Sequence, residues 1–350
     1  MSRAPMAATS SYQAAGVDID EAQRAVELIA SAAAATATPA VLAGVGGFGG
    51  LFRFDPRAHP SPILVASTDP IGTKLKVAIA LGRFDTIGVD LVNQNVNDIA
   101  VVGADPLFFL DYLAVGHLNA DLVEQIVRGI ADACAAAGTP LIGGETAELP
   151  GIYRDDDFDL SGFIVGVVAR RDLIDGRRVR AGDVLLGLPS SGLHTNGYSL
   201  ARRIFPESEW GTSVPGLDGT IGEALLAPHR SYLDELRTLR RALRSARGDL
   251  LACAHITGGG WVGNIPRTLP EGLGVEVETG TWQVPLIFTL MQERGDIADD
   301  EMVRVFNLGI GMTVVVRANQ VERALEAVPQ ARRIGRVTAV TDAGPRVVFR

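Results

Sequence analysis

The order of predicted strands and helices in the first half of the chain constrains its fold most strongly. Four apolar runs there predict strands, and two stretches with apolar residues at helical spacing predict helices between them. The strands are predicted at 63–67, 107–115, 141–143 and 159–168, and the helices at 90–102 and 121–137. This β-α-β-α-β-β order is typical of a sheet that carries its helices on one face, so we predict a mixed α/β (α+β) fold.

A turn-rich segment separates this half from a second one. Asp175-Gly176 and Ala181-Gly-Asp183 are typical turn sequences, and a strand is predicted directly after them at 184–188. Predicted helices and strands then alternate again, which indicates a second mixed α/β domain. Because a chain of 350 residues suits two domains, we predict a tail at 1–15, a first domain at 16–172 and a second at 173–350.

The composition argues against several classes of protein. A net charge of −9 disfavours a general binder of nucleic acid or of acidic membranes, which would need a basic surface. The two cysteines, Cys134 and Cys253, are too few for a disulfide framework and lack the spacing of a zinc site. No apolar run is long enough to span a bilayer. We therefore expect a cytoplasmic protein that has no nucleic-acid or membrane partner.

Both lysines of the chain lie in one short stretch, Thr68-Asp-Pro-Ile-Gly-Thr-Lys-Leu-Lys76, and every other basic residue is arginine. Lysine offers a compact point charge for a phosphate oxygen, where arginine offers a broad planar fork. Together with Asp69 and the small Gly72-Thr73 pair, Lys74 indicates a loop that binds metal and phosphate. The alternative is that two lysines fell by chance on a solvated face.

Residues 44–49 match the dinucleotide-binding pattern G-x-G-x-x-G, but the context is wrong for it. That pattern must open a helix, whereas the segment here is followed by Leu51-Phe-Arg-Phe-Asp-Pro56 and further prolines. The glycines can still lie over phosphates with their backbone N–H groups. A surface loop without a ligand is the alternative.

The predicted helix from residue 90 carries an unusual polar face. At 100° per residue, five polar residues fall on one arc, namely Asp90, Asn93, Gln94, Asn97 and Asp98. Solvated helix faces usually carry Lys, Arg and Glu, which are better helix formers than Asp and Asn. The pattern favours carboxylates for Mg²⁺ and amides for a polar ligand, with an oddly composed solvent face as the alternative.

Further candidate residues lie in loops. Glu145 and Glu148 follow a strand, and His194 lies in Ser190-Ser-Gly-Leu-His-Thr-Asn-Gly197, a strand-to-helix loop that suits an anion. The glycines of His255-Ile-Thr-Gly-Gly-Gly260 form a second possible cradle. For the glutamates and for His194, solvation or a structural role is the alternative.

Taken together and in order, these motifs resemble those of the phosphoribosylformylglycinamidine cyclo-ligases, the aminoimidazole ribonucleotide synthetases of purine biosynthesis. The matching stretches are Ser11-Tyr-Gln-Ala-Ala-Gly-Val-Asp-Ile-Asp20, Gly46-Gly-Phe-Gly49, Thr68-Asp69 with Gly72-Thr-Lys74, Val96-Asn-Asp98, Pro106-Leu-Phe-Phe-Leu-Asp-Tyr112, Gly143-Gly-Glu-Thr-Ala-Glu148, Ser190-Ser-Gly192 with His194 and Asn196-Gly-Tyr-Ser199, Thr257-Gly-Gly-Gly260, and Phe306-Asn307 with Gly309 and Gly311-Met312. Each stretch alone is a weak match, but the ordered set is specific.

The resemblance implies a two-domain synthetase fold whose first domain dimerises and binds ATP and Mg²⁺. It implies an ATP-dependent cyclisation of formylglycinamidine ribonucleotide, which is phosphoryl transfer followed by ring closure. By motif, the implied catalytic residues are Lys74, Asp98 and His194, and the implied metal ligands are Asp69, Asp98 and Glu145. The implied ATP-binding residues are Gly46, Gly47, Gly49, Asp69, Gly72, Thr73, Lys74, Asn97, Asp98, Glu145 and Thr146. The implied substrate-binding residues are Ser190, Ser191, Gly192, His194, Asn196, Thr257, Gly258, Gly259 and Gly260.

Two departures from the family pattern lie beside the expected metal site. Pro70 replaces a usual glycine, and Asn93-Gln-Asn95 replaces a stretch that is usually apolar with a cysteine. The alternatives to the cyclo-ligase are a sibling enzyme of the superfamily, such as selenophosphate synthetase, thiamine-phosphate kinase or a hydrogenase-maturation enzyme, and a non-catalytic dimeric nucleotide-binding protein.

Overall fold

A computed structural model describes residues 19–341 and 344–350, with side chains from residue 21 onward. The expected tail at 1–15 lies outside this range. The helices are α1 Ile19–Ala35, α2 Lys74–Leu81, α3 Ile87–Ala100, α4 Ala120–Ala137, α5 Tyr198–Ile204, α6 Ile221–Leu225, α7 Leu233–Ser245, α8 Gly260–Asn264, α9 Leu286–Gly295, α10 Asp299–Val305 and α11 Val321–Ala327. The strands are β1 Val41–Ala43, β2 Leu51–Phe52, β3 Pro62–Pro70, β4 Asp105–Val115, β5 Leu141–Glu148, β6 Phe158–Ala169, β7 Val184–Pro189, β8 Ala252–His255, β9 Leu273–Val277, β10 Ile310–Val316, β11 Arg332–Ala339 and β12 Val347–Phe349.

The first half of the chain forms a four-stranded sheet in the order β3-β6-β4-β5. The β4–β5 pair is parallel and the other two pairs are antiparallel. Helix α3 lies against β3 and β6, and α4 packs on α3 and α1. The predicted layered α/β arrangement is therefore confirmed for this half.

The opposite face of this sheet is only partly covered by the part of the chain that the structure describes: the segment 44–52 lies beside β4 and β5, with the Phe52 ring 5.5 Å from that of Phe108. Along β3 the side chains alternate between this face and the helix layer, as the two-residue period of a strand requires. Leu64 is 64% exposed and Phe163 is 41% exposed. Phe163 pairs across the sheet with Thr68 on one side and Leu110 on the other, so the open face has an apolar centre.

The second half forms a six-stranded sheet in the order β12-β9-β11-β7-β10-β8. Within this second sheet, only the β12–β9 pair is parallel among the described strands. Helix α7 has the sharpest polar–apolar division, and it buries Leu233, Leu236, Leu239 and Leu243 against the core.

Two elements near the expected site differ from the sequence prediction. The stretch around Lys74 was expected to be a ligand loop, but helix α2 begins at Lys74 itself. Strand β8 was not predicted, because its four residues, Ala-Cys-Ala-His, have weak strand propensity and are buried by neighbouring strands. This missed strand carries His255, which lies at the centre of the candidate site.

Candidate functional site

A cleft of about 500 Å³ lies between the two halves of the chain, and two carboxyl groups meet in its wall. Asp69 comes from the helix-facing side of β3, and Asp98 comes from α3. The two carboxyl groups are close enough for each to shift the pKa of the other. Burial and this contact raise the pKa of Asp69 to about 7. Asp69 therefore retains its proton up to about pH 7 in the absence of a cation.

Asp98 is held as the ionised member of this pair. Burial by itself raises the pKa of Asp98, but the hydrogen bond and charge of His255 outweigh it and leave the pKa below its ordinary value. His255 Nδ1 lies 2.9 Å from Asp98 Oδ1, and Ser67 Oγ donates to Asp98 Oδ2 at 3.2 Å. Strand β8 of the second half thus supplies a side chain to the acidic pair of the first half.

The polar face of α3 mainly binds protein backbone. Asp90 Oδ1 accepts from His229 N at 2.6 Å, and Asn93 Nδ2 donates to His229 O at 2.7 Å. One turn further along the helix, Asn97 Oδ1 accepts from Tyr232 N at 2.8 Å. Asn97 is fully buried, so the expectation that it binds a nucleotide is wrong for this arrangement. These residues hold the segment between α6 and α7 against the first half of the chain.

Lys74 also has a different environment from the one expected. Its ammonium group lies 2.8 Å from Asp90 Oδ2 and donates to Ala227 O at 2.8 Å, and the side chain has no exposed surface. Burial lowers the pKa of Lys74, and the charge of Asp90 opposes this effect. In this arrangement Lys74 cannot contact a phosphate, because the protein encloses it.

The glycine-rich segment 44–50 is the loop of a two-stranded hairpin, β1–β2, and no helix follows it. It forms a second cleft of about 400 Å³ with residues of β4 and β5, including Tyr112, Gly144 and Glu145. Gly46 has a φ of +103°, which favours glycine. The segment therefore lies beside a cavity, as a phosphate-binding loop would.

Glu145 does not lie with Asp69 and Asp98. Asp69 is in register with Gly144 through two intervening strands, so the next residue, Glu145, points to the opposite face of the sheet. Strands β3 and β5 are also at opposite edges, which separates them by three strand spacings, or about 14 Å. Within one chain, the expectation that Glu145 shares a metal ion with Asp69 and Asp98 is therefore wrong.

Loops 190–197 and 257–260 lie side by side, as the expected substrate site requires. The Asn196 side-chain oxygen lies next to Gly258, where a β-carbon would come within 3.3 Å of it. Asn307 clamps the first loop by donating from Nδ2 to Gly192 O at 2.8 Å, and Asn264 clamps the second by donating to Gly260 O at 2.8 Å. Both loops are therefore shaped in advance by buried amides.

His194 lies beneath its loop rather than on the surface. It is fully buried, its φ is +64°, and its ring stacks on that of His229 with centroids 4.0 Å apart. Burial lowers the pKa of His194 well below its ordinary value. Direct catalytic contact with the substrate, as implied by the motif, is therefore wrong for this arrangement.

Gly72 and Thr73 remain exposed at the start of α2, and Thr73 Oγ1 lies 3.3 Å from Ser199 Oγ of α5. The left-handed turn occurs at Gly72, with a φ of +69°, whereas Pro70 is the last residue of β3. Proline at 70 is thus compatible with the extended backbone there. The other departure, Asn93-Gln-Asn95, also finds internal partners, since Gln94 Nε2 donates to Pro70 O at 3.2 Å.

Glu148, which the sequence offered as a candidate, and Asp111 of the motif Pro106–Tyr112 both have structural roles. Glu148 Oε1 accepts from Leu118 N at 2.7 Å and so fixes the loop that follows β4. Asp111 is buried in the helix-facing layer, and burial raises its pKa to about 7.

Sequence reasoning missed the importance of His229, His255 and Thr195. These residues come from separate loops and a short strand, and each is isolated in the sequence. The only signal was that three of the five histidines, His194, His229 and His255, fall among the glycine-rich and proline-rich segments of the second half. No helix among the described residues is long and apolar enough to cross a membrane.

Comparison with known proteins agrees with this architecture. The AIR synthase related protein N-terminal domain matches residues 39–168, and the corresponding C-terminal domain matches residues 180–348. A phosphoribosylformylglycinamidine cyclo-ligase of Desulfitobacterium hafniense is 53% identical over 89% of this chain and 91% of the relative. Another from Sorangium cellulosum is 50% identical over 95% of this chain and 96% of the relative.

Among solved structures, the hydrogenase maturation protein HypE in complex with ATP superposes with a TM-score of 0.66. It is 18% identical to this chain and covers 92% of it, with 90% of HypE matched. That structural likeness shows only that the two proteins share a fold. The much higher sequence identity to the cyclo-ligase relatives decides which family with this fold the chain belongs to. The chain belongs to the phosphoribosylformylglycinamidine cyclo-ligase family, the ligases that act in purine biosynthesis.

Proposed function

We propose that the chain catalyses the ATP-dependent cyclisation of formylglycinamidine ribonucleotide. The formyl oxygen is phosphorylated by ATP, an internal amine attacks the activated carbon, and phosphate leaves with the oxygen. The products are aminoimidazole ribonucleotide, ADP and phosphate. The observation that carries this proposal is the 53% identity to a relative of that name across nearly the whole chain. The alternative of a sibling enzyme is disfavoured by that identity.

Asp69 and Asp98 are the residues that fit a magnesium ion. Two neighbouring carboxyl groups offer oxygen ligands, and a divalent cation can take the place of the proton that Asp69 retains up to about pH 7. Ser67 and His255 hydrogen-bond to the Asp98 carboxyl group and orient it. Mg²⁺ supplies charge neutralisation for the phosphoryl group when it is bound.

ATP is the nucleotide that the family requires, and the HypE structure with ATP is consistent with a nucleotide site in this fold. We assign its phosphate contacts to the exposed residues Gly72 and Thr73, and assign the cleft lined by Gly46, Gly47, Gly49 and Glu145 to nucleotide binding. Thr146 follows Glu145 in β5 and does not line this cleft. The two clefts lie on opposite faces of one sheet, so one chain alone does not join them. A homodimer that pairs the open sheet faces would bring the second cleft of one chain toward its partner.

Substrate binding is assigned to loops 190–197 and 257–260. Thr257 lines the cleft that holds Asp69 and Asp98, which supports a substrate-binding role for the second loop. Arg267 lines the same cleft and is exposed. Because Lys74 is enclosed, Arg267 is the better candidate for a direct contact with a phosphate group. The reaction belongs to nucleotide metabolism, which fits a cytoplasmic location.

The test is turnover of the purified protein with formylglycinamidine ribonucleotide, ATP and Mg²⁺. We expect ADP and aminoimidazole ribonucleotide in equal amounts, and we expect no ADP when the ribonucleotide is omitted. Asp98→Asn should reduce kcat by at least about 100-fold, as for the loss of a charge that acts in the transition state. ATP binding without turnover would favour a binding protein, and ADP release with another acceptor only would favour a sibling enzyme.

A further inference from the structure

A continuous hydrogen-bond chain runs from the end of β3 to the acidic pair, and the mechanism above uses only its last member. It passes from Pro70 O through Gln94, Thr195 and His229 to His255, which contacts Asp98. The two histidines of this hydrogen-bond chain, His229 and His255, are each at least 95% buried. The order of donors and acceptors in such a chain is set by whichever end has a fixed polarity.

The Gln94 end has a fixed polarity. Its Nε2 donates to Pro70 O at 3.2 Å, and a backbone carbonyl can only accept. The oxygen of Gln94 therefore faces Thr195, and the Thr195 hydroxyl donates its single proton to it. With that proton engaged, the Thr195 oxygen can only accept a hydrogen bond from His229.

This polarity determines which nitrogens of both histidines bear protons. His229 Nδ1 lies 3.3 Å from Thr195 Oγ1 and must carry a hydrogen to donate to it. Burial lowers the pKa of His229 well below its ordinary value, so its ring is neutral and Nε2 is bare. His255 Nε2, at 3.0 Å from His229 Nε2, must then be the N–H donor. His255 Nδ1 also carries a hydrogen, because it donates to the Asp98 carboxylate.

We propose that His229 is a positioning residue, which together with Thr195 fixes the orientation and proton placement of His255 and thereby holds Asp98 ready for the cation. The bond to His229 turns the Nδ1 edge of His255 toward Asp98 Oδ1 at 2.9 Å. The part concerning the cation rests on the proposed function, whereas the hydrogen-bond order does not. Partners of metal-binding groups that lie one step away typically change metal affinity by about 10–100-fold when they are removed.

A metal ion bound by the histidines themselves is the competing explanation. One nitrogen each of His194, His229 and His255 lies within 4.8 Å of the others. However, the rings of His194 and His229 are stacked, with an interplanar angle of 20°. Ring nitrogens bind metals in the plane of the ring, so two stacked rings do not point at one ion. The 3.0 Å distance between His229 and His255 also matches a direct N–H···N bond.

The test uses the full chain labelled with ¹⁵N-histidine, in which the ¹⁵N shift of each ring nitrogen shows whether it is bare or protonated. We expect a bare His229 Nε2, a protonated His229 Nδ1 and a protonated His255 Nε2, with scalar coupling across the N–H···N bond. Thr195→Val keeps the shape of the side chain but removes its hydroxyl. It should abolish this pattern at both histidines, and Thr195→Ser should restore it.

The second readout is binding of Mn²⁺ alone, followed by electron paramagnetic resonance. Thr195→Val should weaken Mn²⁺ binding by about tenfold, and Thr195→Ser should not. His229→Gln, whose amide reaches the Nε2 position, should retain more affinity than His229→Asn. The matched control is His59→Gln. His59 lies outside the hydrogen-bond chain and outside both clefts, so this substitution should change neither readout.

Unchanged ring-nitrogen shifts in a folded Thr195→Val variant would overturn the proposal. Stoichiometric binding of Zn²⁺ with loss of the N–H···N coupling would also overturn it. The expected shifts combined with unchanged Mn²⁺ binding in Thr195→Val would also overturn the link to Asp98. If the wild-type chain showed the expected shifts but no ring closure, the failure would lie with the proposed function and not with the hydrogen-bond order.

Discussion

Lys74 Nζ and Asp90 Oδ2 lie 2.8 Å apart, and neither side chain has any exposed surface. The pair joins the first turn of α2 to α3, and each partner reaches further, to Ala227 O and His229 N respectively. Burial raises the pKa of Asp90 to about 6, although the charge of Lys74 opposes this rise. Lys74, which the sequence indicated as a phosphate ligand, thus contacts the second half of the chain at Ala227 and helps to hold the two halves together.

Removing one partner of this pair should destabilise the fold more than it alters catalysis. We expect Lys74→Met to lower the free energy of unfolding by about 3–5 kcal/mol, because the buried Asp90 carboxyl group loses its ion-pair partner at Oδ2. Urea denaturation measures this loss. Lys76→Met is the matched control, since Lys76 pairs with Asp157 near the surface, and it should cost less than about 1 kcal/mol. A Lys74→Met variant with wild-type stability and no turnover would instead support direct contact with phosphate.

The buried carboxyl group of Asp111 should make stability depend on pH. Its pKa is about 7 in the folded chain and 3.8 ordinarily, so the folded state retains a proton that the unfolded state releases. Stability contributed by the protonated form is present below pH 4 and is lost as the pH rises to 7. Asp111→Asn should therefore be more stable than wild type at pH 8, by at most about 4 kcal/mol, and the advantage should shrink toward pH 4.

Unfolding midpoints in urea at pH 4, 6 and 8 check this prediction. Asp218→Asn is the control, because Asp218 is exposed in a loop, and it should show no such trend. An advantage of Asp111→Asn that is equal at every pH would contradict the assignment of the effect to the Asp111 proton.

Asn97 should be needed to hold the two halves together. Its side chain donates to Arg230 O at 2.8 Å and accepts from Tyr232 N at 2.8 Å. Asn97→Leu has a similar volume but orphans both backbone groups, at about 1–3 kcal/mol each, so we expect a loss of about 2–4 kcal/mol. Denaturant unfolding measures it, with Gln125→Leu on the exposed face of α4 as the control. A loss no larger than that of the control would mean that water replaces the Asn97 bonds.

The open face of the first sheet should be the dimer interface. A large apolar side chain at the centre of an uncovered sheet indicates a partner surface. We expect sedimentation velocity to show a dimer for the wild-type chain and a monomer for Phe163→Asp. Val262→Asp places the same charge at an equally exposed position, 41%, in the second half and should leave the dimer intact. A Phe163→Asp variant that stays dimeric would place the interface elsewhere.

The sequence alone determined the layered α/β fold and the family, because these depend on local periodicity and on the order of motifs. It also drew attention to Asp69, through the lysine-bearing stretch beside it, and to Asp98, through the polar face of its helix, and their role as metal ligands stays a prediction. The polar face of α3 was recognised as unusual, but its role was assigned to a ligand rather than to the backbone of residues 229–232.

The tertiary structure decided what each polar side chain contacts, and that depends on distances between segments far apart in the chain. Asp90 and His229 are 139 residues apart, and Asp98 and His255 are 157 residues apart. A local pattern shows that Lys74 carries a charge, but only the packing of α2 against α3 and residue 227 determines whether water or phosphate can reach it. For the same reason Glu145 and Asp69 are compatible with one metal ion in the sequence but lie on opposite faces of the folded sheet.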